Sequence, residues 1–299
     1  MSKPAAGKSS SKEFKVGSDI PFHTGLGMLS GMYVFLILAM LLAEATYTSP
    51  SQMIEALQKP EIIYSIKLSL FSCGVTTILA LWVAIPIGYL MSRHRFPGKV
   101  FIDAILDIPI VLPPLVIGLC LLILFQTDSG KFVEETYIVS MAWICEQLTS
   151  ITGRRFHPPA GITYEIPAVI LAQFMVACAF AVRTMRVTFD QIHTRYEDVA
   201  LTLGCTRSEA FWRVVFPQAR RGMLAAGTLA WARSLGEFGP ILIFAGATRM
   251  KTEVLSTTVF LELTVGNIEG AVTASMIMVF AAIIVLVFAR MVGLKRMAI

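Results

Sequence analysis

The chain has 299 residues, of which 56% are hydrophobic and only 15% are charged. Ordinary soluble domains carry about a quarter charged residues, so this composition excludes a typical soluble protein and predicts several lipid-facing helices. The net charge of +5 is modest, and the basic residues stand at the ends of apolar segments. They are therefore interpreted as topology signals, and no nucleic-acid partner is expected. The five cysteines form no CxxC pair, so neither a disulfide framework nor a zinc site is expected.

Apolar segments long enough to cross a membrane recur along the chain. They lie at about 26–43, 68–91, 105–125, 168–187, 223–245 and 271–291. Residues 1–25 are polar and basic and are expected to form a cytoplasmic tail before a transmembrane domain that covers 26–299. The predicted fold class is an all-α integral membrane protein with six transmembrane helices and with N- and C-termini cytoplasmic.

Charge patterns between these segments set the predicted orientation. Arg93, His94, Arg95 and Lys99 follow the second segment, and such basic clusters mark the cytoplasmic side. The polar stretch 127–167 has five acidic and three basic residues, which favours the outside. Within it, residues 133–149 are predicted to form an amphipathic helix on the outer surface.

The third apolar segment contains Pro109, Pro113 and Pro114. Prolines are tolerated in a membrane helix when neighbouring groups satisfy the freed carbonyls, so this segment is predicted to be a kinked helix.

A charged stretch at residues 194–217 separates the fourth and fifth segments. Thr194 and Glu197 have the spacing of a capping box, so a helix is predicted to start there and to end at Gly204, which can adopt a left-handed conformation. Thr206 and Glu209 repeat the capping-box spacing and predict a second helix, which Pro217 is expected to stop. Its apolar residues, rimmed by charge, suggest docking onto another protein.

The fifth segment carries two opposite charges. Arg233 and Glu237 are four residues apart and share one face of a helix. Charges in a membrane span usually face a bundle interior or an aqueous path. The alternative interpretation is a structural ion pair that fixes helix packing. Gly236 and Gly239 would permit close helix approach. The stretch 246–270 is expected to hold a short outer-face or re-entrant helix.

The stretch 194–217 resembles the EAA loop of ABC importer permeases, whose pattern is EAA, three residues, G, nine residues and I-x-L-P. The positions that match, with mild substitutions, are Asp198-Val199-Ala200, Gly204, Val214, Phe216 and Pro217. The strings DIPIVLPPLVIGL, FAVRTMRVTF and RSLGEFGP are similar to parts of molybdate, tungstate and sulfate permeases. The chain thus resembles the permease subunit of a type I, binding-protein-dependent ABC importer of that group.

The resemblance implies a function and a set of functional residues. The chain would be a multi-pass protein of the prokaryotic inner membrane that translocates an oxyanion by alternating access, driven by a separate ATPase subunit. An extracytoplasmic binding protein and a second permease copy, most simply a homodimer, would complete the complex. The implied ATPase-coupling residues are Glu197, Asp198, Val199, Ala200, Gly204 and Pro217; those of the translocation path or gate are Arg233, Gly236, Glu237 and Gly239. The chain lacks a complete P-loop, so it is expected to be no enzyme and to need no cofactor or metal.

Three alternatives stay open at this point. The first is an ABC permease for ferric iron, thiamine or phosphate, because the EAA loop does not distinguish substrates. The second is an ion-coupled secondary transporter, which would have inverted repeats and mid-membrane carboxylates. The third is a membrane assembly protein without transport activity, for which the capped loop and the Arg233–Glu237 pair would have no role.

Overall fold

The computed structural model describes residues 20–47, 49–152 and 160–295. The predicted tail up to residue 19, residues 153–159 of the predicted outer stretch and Arg296 lie outside this part. Within it the chain is all-α, as predicted, and has no β-strand. The helices are α1 (Ile20–Tyr47), α2 (Pro50–Gln58), α3 (Pro60–Arg93), α4 (Lys99–Val111), α5 (Pro114–Gln126), α6 (Asp128–Thr152), α7 (Ile166–Asp190), α8 (Arg195–Thr202), α9 (Arg207–Ala210), a π-helical turn (Phe211–Val215), α10 (Phe216–Gln218), α11 (Arg220–Leu235), α12 (Gly239–Phe244), α13 (Leu255–Thr264) and α14 (Ile268–Lys295).

The chain divides into two compact units, Met1–Tyr47 and Thr48–Ile299, and each is described by itself. The described part of the first unit is α1. In the second unit, α3, α7 and α14 are long and apolar enough to cross a membrane, as α1 is in the first. Each of these four helices covers one of the predicted spans.

The third predicted span is broken rather than kinked. Helices α4 and α5 meet at an angle of 111°, across the two residues Leu112 and Pro113. Leu112 has an extended backbone with φ −66° and ψ 140°. A proline disfavours the helical conformation in the residue before it and cannot donate the next backbone hydrogen bond, so Pro113 ends α4 here. The pair counts as one further span if the bent helices cross the membrane together.

The fifth predicted span is interrupted as well. Helix α11 ends at Leu235, and α12 begins at Gly239 with Pro240 in its first turn, where a proline is tolerated. Residues 236–238 between them are not helical. The prediction of a continuous helix over 223–245 is therefore wrong, and the total of six spans remains a prediction.

The core of the second unit forms where α3 packs along α7 and α11. Ala80 and Ala84 of α3 are fully buried against Ala177 and Ala181 of α7. A Cβ atom on Gly88 would lie 2.8 Å from the Cβ of Met185, so only glycine permits this approach of α3 and α7. Small residues that bring backbones together are the usual basis of helix association in a membrane, where lipid is as apolar as the protein.

The segments predicted to share a membrane side also share an end of this unit. At one end, the last residue of α3, Arg93, contacts the loop around Glu197. At the other end, the hydroxyl of Tyr64 donates to the carbonyl of Lys251, whose ammonium group lies 2.7 Å from Glu165. Helix α6 covers the helix predicted at 133–149, and α13 is the short helix predicted within 246–270. The grouping agrees with the predicted alternation of sides.

Candidate functional site: the loop at residues 194–217 and the two helix breaks

The loop at residues 194–217 begins with α8, which ends in a Schellman motif. Gly204 has φ +90°, the left-handed conformation that was predicted for it. The Cys205 N–H donates to the Ala200 carbonyl at 3.1 Å, and the Gly204 N–H donates to the Leu201 carbonyl at 3.0 Å. These are the two bonds that define the motif. Helix α8 is therefore closed by local chemistry that the sequence contains.

The predicted capping box at the start of α8 is wrong. Thr194 has φ −59° and ψ −28°, a helical conformation, and its side chain makes no capping hydrogen bond. A capping residue needs an extended backbone to aim its side chain at the first turn. The carboxylate of Glu197 is instead taken by other elements: Arg93 Nε donates to Oε1 at 2.6 Å, and the Tyr89 hydroxyl donates to Oε2 at 2.9 Å.

The predicted capping box of the second helix is confirmed. The Glu209 N–H donates to the Thr206 hydroxyl at 3.3 Å, and the Thr206 N–H donates to Glu209 Oε2 at 2.9 Å. The hydrogen bonds from the Thr206 N–H and hydroxyl, together with the charge of Arg213, hold the pKa of Glu209 below its usual value. Helix α9 thus has a fixed start.

Pro217 does not stop this helix, contrary to the prediction. Residues Phe211–Val215 form a π-turn, in which the Phe216 N–H donates five residues back to the Phe211 carbonyl. Helix α10 then contains Pro217, and the Ala219 N–H continues the ladder by donating to the Val215 carbonyl at 2.9 Å. A proline in an α-helix collides with the carbonyl four residues back. The wider π-turn changes that pairing and lets the helix run on into α11.

The outer surface of this loop is apolar with charged neighbours. Leu203, Trp212 and Val199 are 80%, 58% and 57% exposed, whereas Ala200 is buried. Asp198 and Gly204 are exposed as well. Among the residues assigned to ATPase coupling, Asp198, Val199 and Gly204 therefore lie on the surface, while Ala200 and Glu197 face the protein. An exposed apolar patch of this kind is typical of an interaction surface.

The second candidate region surrounds Arg233 and Glu237. Arg233 Nη2 lies 2.8 Å from Glu237 Oε1, and the Glu237 side chain is only 1% exposed. This contact lacks the angle of a hydrogen bond, but Coulomb attraction between the charges has no such requirement. The Arg233 guanidinium carbon also lies 5.6 Å from the centre of the Phe180 ring. One third of the Arg233 side chain remains exposed, so its charge is only partly enclosed.

The two helix breaks meet at this ion pair. A cavity of about 300 Å³ lies between them. Its lining residues come from both breaks and include all four residues predicted for the path: Pro113, Pro114, Leu115, Arg233, Gly236, Glu237, Phe238 and Gly239. A Cβ atom on Gly239 would lie 3.0 Å from the Leu115 nitrogen, so glycine lets α12 approach the first turn of α5. The sequence predicted the residues but not the breaks that bring them to one cavity.

Gln173 of α7 is a buried residue that the sequence analysis missed. The Thr76 hydroxyl donates to its Oε1 at 3.2 Å, and its Nε2 donates to the Ser234 carbonyl at 3.2 Å. It therefore joins α3, α7 and the last turn of α11, beside the break. The Ser256 hydroxyl donates to the Glu237 carbonyl at 2.6 Å on the other side of that break. A glutamine within an apolar segment was the available signal, because polar groups in a membrane need partners.

Glu253, between α12 and α13, was also missed. Its side chain is fully buried, and neither carboxylate oxygen has a hydrogen-bond partner among the described residues. Burial, the largest influence, raises its pKa above the usual value for a glutamate. No sequence pattern marks it. Within the described ranges, no three His, Cys, Asp or Glu side chains group in a way that could hold a metal ion.

Comparison with known proteins gives a family and a fold. Residues 84–296 match the family described as "Binding-protein-dependent transport system inner membrane component". The sulfate transport system permease protein CysT of Salmonella typhimurium is 27% identical, over 85% of each chain. The molybdate/tungstate permease protein WtpB of Pyrococcus furiosus is 29% identical, over 74% of this chain and 75% of its own.

Solved structures support the same fold. A chain of a bacterial ABC transporter that imports the acidic polysaccharide alginate aligns with a TM-score of 0.67 and 16% identity, over 93% of this chain and 96% of its own. At this identity the likeness concerns the fold alone. The family match covers most of the chain, and it agrees with the resemblance of the loop at residues 194–217. The chain therefore belongs to the inner membrane components of binding-protein-dependent transport systems, the type I ABC importer permeases, and is a multi-pass inner membrane protein of the sulfate/molybdate type.

Proposed function

We propose that this permease translocates a tetrahedral oxyanion, either molybdate and tungstate or sulfate, by alternating access powered by a separate ATPase subunit. The observation that carries the oxyanion assignment is the cavity at the two helix breaks, into which Arg233 brings a positive charge. The names of the relatives, which are sulfate and molybdate/tungstate permeases, support the same class of substrate.

The chemistry of the cavity fits a dehydrated dianion better than it fits a cation. A guanidinium group offers several N–H donors in one plane, which suit oxygen atoms of a tetrahedral anion. The first turn of α5 lies beside it and has free N–H groups at its positive end. Glu237 neutralises Arg233 in the empty cavity, and an entering dianion would compete with Glu237 for that charge. Such an exchange keeps the site weak enough for the anion to leave again.

The partners follow from the same proposal. The ATPase subunit docks on the exposed face of the loop at residues 194–217, around Val199, Leu203 and Trp212. An extracytoplasmic binding protein delivers the anion, and a second copy of this chain completes the path. One solved relative in fold is an alginate transporter in complex with its substrate-bound periplasmic protein, which supports a partner of that kind. A homodimer is the simplest assembly, because one copy provides only part of a pathway.

Uptake by the purified complex in proteoliposomes tests the assignment of the path. Arg233→Gln should lower uptake of labelled sulfate or molybdate at least tenfold, because the cavity loses its cation. Arg249→Gln is the matched control, since Arg249 also pairs with a glutamate, Glu262, at 2.8 Å but lies outside the cavity. Normal uptake by Arg233→Gln would contradict a role in the path. Wild-type uptake of ferric iron or thiamine, with none of the oxyanions, would refute the substrate class.

A second variant tests the role of the loop. Gly204→Pro should abolish the ATP hydrolysis that the binding protein stimulates, because proline cannot adopt the φ of +90° that closes α8. Gly98→Pro is the matched control: Gly98 has φ +85° in the turn before α4, so the backbone strain is comparable. Full stimulation in Gly204→Pro, or an equal loss in both variants, would remove the specific coupling role of this loop.

A further inference from the structure

We propose that Arg93, Tyr89 and Glu197 form a positioning clamp, which transmits movement of the loop at residues 194–217 to helices α3 and α7. We call these three residues the Arg93 clamp. The proposal rests on the proposed function, because it concerns how an ATPase-driven displacement reaches the translocation path. It assigns Glu197 a role inside the permease rather than at the ATPase surface.

Both oxygens of the Glu197 carboxylate are engaged by α3. Arg93 Nε donates to one at 2.6 Å and the Tyr89 hydroxyl to the other at 2.9 Å. The Arg93 and Glu197 side chains are only 8% and 14% exposed. Glu197 takes no part in capping α8, so its charge serves contacts outside its own helix. Because the carboxylate is turned inward, it is poorly placed to contact a docked subunit.

The same arginine also holds the end of α7. Arg93 Nη2 donates to the carbonyl of Ile192 at 2.8 Å, two residues beyond the end of that helix. One guanidinium group therefore ties together the end of α3, the end of α7 and the first helix of the loop. The Tyr89 ring lies 5.6 Å from the ring of Phe189 on α7 and 4.8 Å from the ring of Phe211 in the π-turn, both edge-on. Both halves of the loop are thus attached to the α3–α7 pair.

The burial of this ion pair makes the attachment stiff. A buried arginine–carboxylate contact cannot be exchanged for water without leaving uncompensated charge, unlike an exposed pair, which contributes little. The loop also contains an exposed pair, Arg213 and Glu209, whose charged atoms are 3.6 Å apart with side chains 72% and 42% exposed. The contrast indicates that a displacement of α8 is passed on at Glu197 and absorbed at Glu209.

The α3–α7 pair leads from the clamp to the cavity at the helix breaks. Thr76 of α3 and Gln173 of α7 are hydrogen-bonded to each other, and Gln173 holds the Ser234 carbonyl at the end of α11. Arg233 is the neighbouring residue. A shift of α3 and α7 at the clamp therefore changes the position of the break that carries Arg233, through contacts that are continuous across the described residues. This continuity is a physical route, and its coupling is a matter for measurement.

The test uses the complete transporter purified with its subunits, reconstituted in proteoliposomes. Glu197→Gln keeps the shape of the side chain and removes its charge. The ratio of anion transported to ATP hydrolysed should fall roughly tenfold, within the range of measured coupling between sites. Glu262→Gln is a matched control: Glu262 also accepts from an arginine at 2.8 Å and from one neutral donor, Asn267, at 2.7 Å, and its side chain is 12% exposed. Its ratio should stay at the wild-type value.

Two further variants separate coupling from folding. Tyr89→Phe keeps the ring contacts and removes one hydrogen bond, so a smaller fall in the ratio is expected. The exchange Arg93→Glu with Glu197→Arg should recover part of the coupling that either single change removes. A wild-type ratio in Glu197→Gln overturns the proposal, and so does a wild-type ratio in Tyr89→Phe if Glu197→Gln fails to assemble. Failure of the wild-type complex to transport any oxyanion would instead refute the proposed function.

Discussion

The tight contact between α5 and α12 leads to a quantitative prediction for Gly118→Ala. A Cβ atom at position 118 would lie 2.8 Å from Pro240 Cα and 2.9 Å from the Pro240 carbonyl oxygen. Non-bonded carbon atoms are best separated by about 3.5–4.0 Å, so α5 must move away from α12 by roughly 1 Å. Overpacking of this kind costs about 1–3 kcal/mol, from which about 0.5–1 kcal/mol is recovered by removing a glycine from a helix.

The net loss is therefore about 1–2 kcal/mol, which corresponds to a fall in Tm of about 2–8 °C if a soluble protein of similar size is a guide. The measurement is thermal unfolding of the purified protein in detergent. Gly74→Ala on α3 is the control, because no described atom outside its own surroundings lies within 4 Å of a Cβ there. It should raise the Tm by removing flexibility from the unfolded chain. A Gly118→Ala protein as stable as wild type would show that α5 and α12 do not pack as closely as described.

Three further predictions concern single side chains. Gln173→Leu should lower the free energy of unfolding by about 1–3 kcal/mol, because the Ser234 carbonyl loses a partner in a buried position; thermal unfolding measures this. Glu253, whose pKa is raised by burial, should make the protein most stable below the usual pKa of glutamate and less stable as pH rises through the raised value, and Tm measured against pH should lose this slope in Glu253→Gln. Thr206→Ala should destabilise the start of α9 by about 1 kcal/mol, whereas Thr194→Ala should change nothing, and hydrogen exchange of the first-turn amides distinguishes the two.

The parts of the loop that the sequence predicted correctly depend on near neighbours. Gly204 closes α8 by bonds to residues 200 and 201, and Thr206 caps α9 through Glu209, three positions away. The capping box at Thr194 failed because its glutamate has a stronger partner, Arg93, 104 positions earlier in the chain. Local spacing identifies possible partners, but a competing side chain from another helix decides which one is used.

The candidate path shows the same limit on a larger scale. The prolines at 113 and 114 and the glycines at 236 and 239 all indicated irregular helices. The break of 111° and the cavity that it forms require α12 to pack against α5, which no pattern within either segment predicts. The buried Glu253 is the extreme case, because its environment is created entirely by tertiary contacts of the fold.

The π-turn at Phe211–Val215 has a consequence for how this chain can vary. Each residue advances an α-helix by about 100°, and a π-turn accommodates one residue more than the α-helix would in the same place. Deleting a single residue there would restore α geometry and rotate α11, with Arg233, by roughly that angle relative to α9. The exposed face around Trp212 and the cavity at Arg233 would then lose their common phase. Relatives that keep both surfaces are therefore expected to tolerate substitutions in this turn but no change in its length.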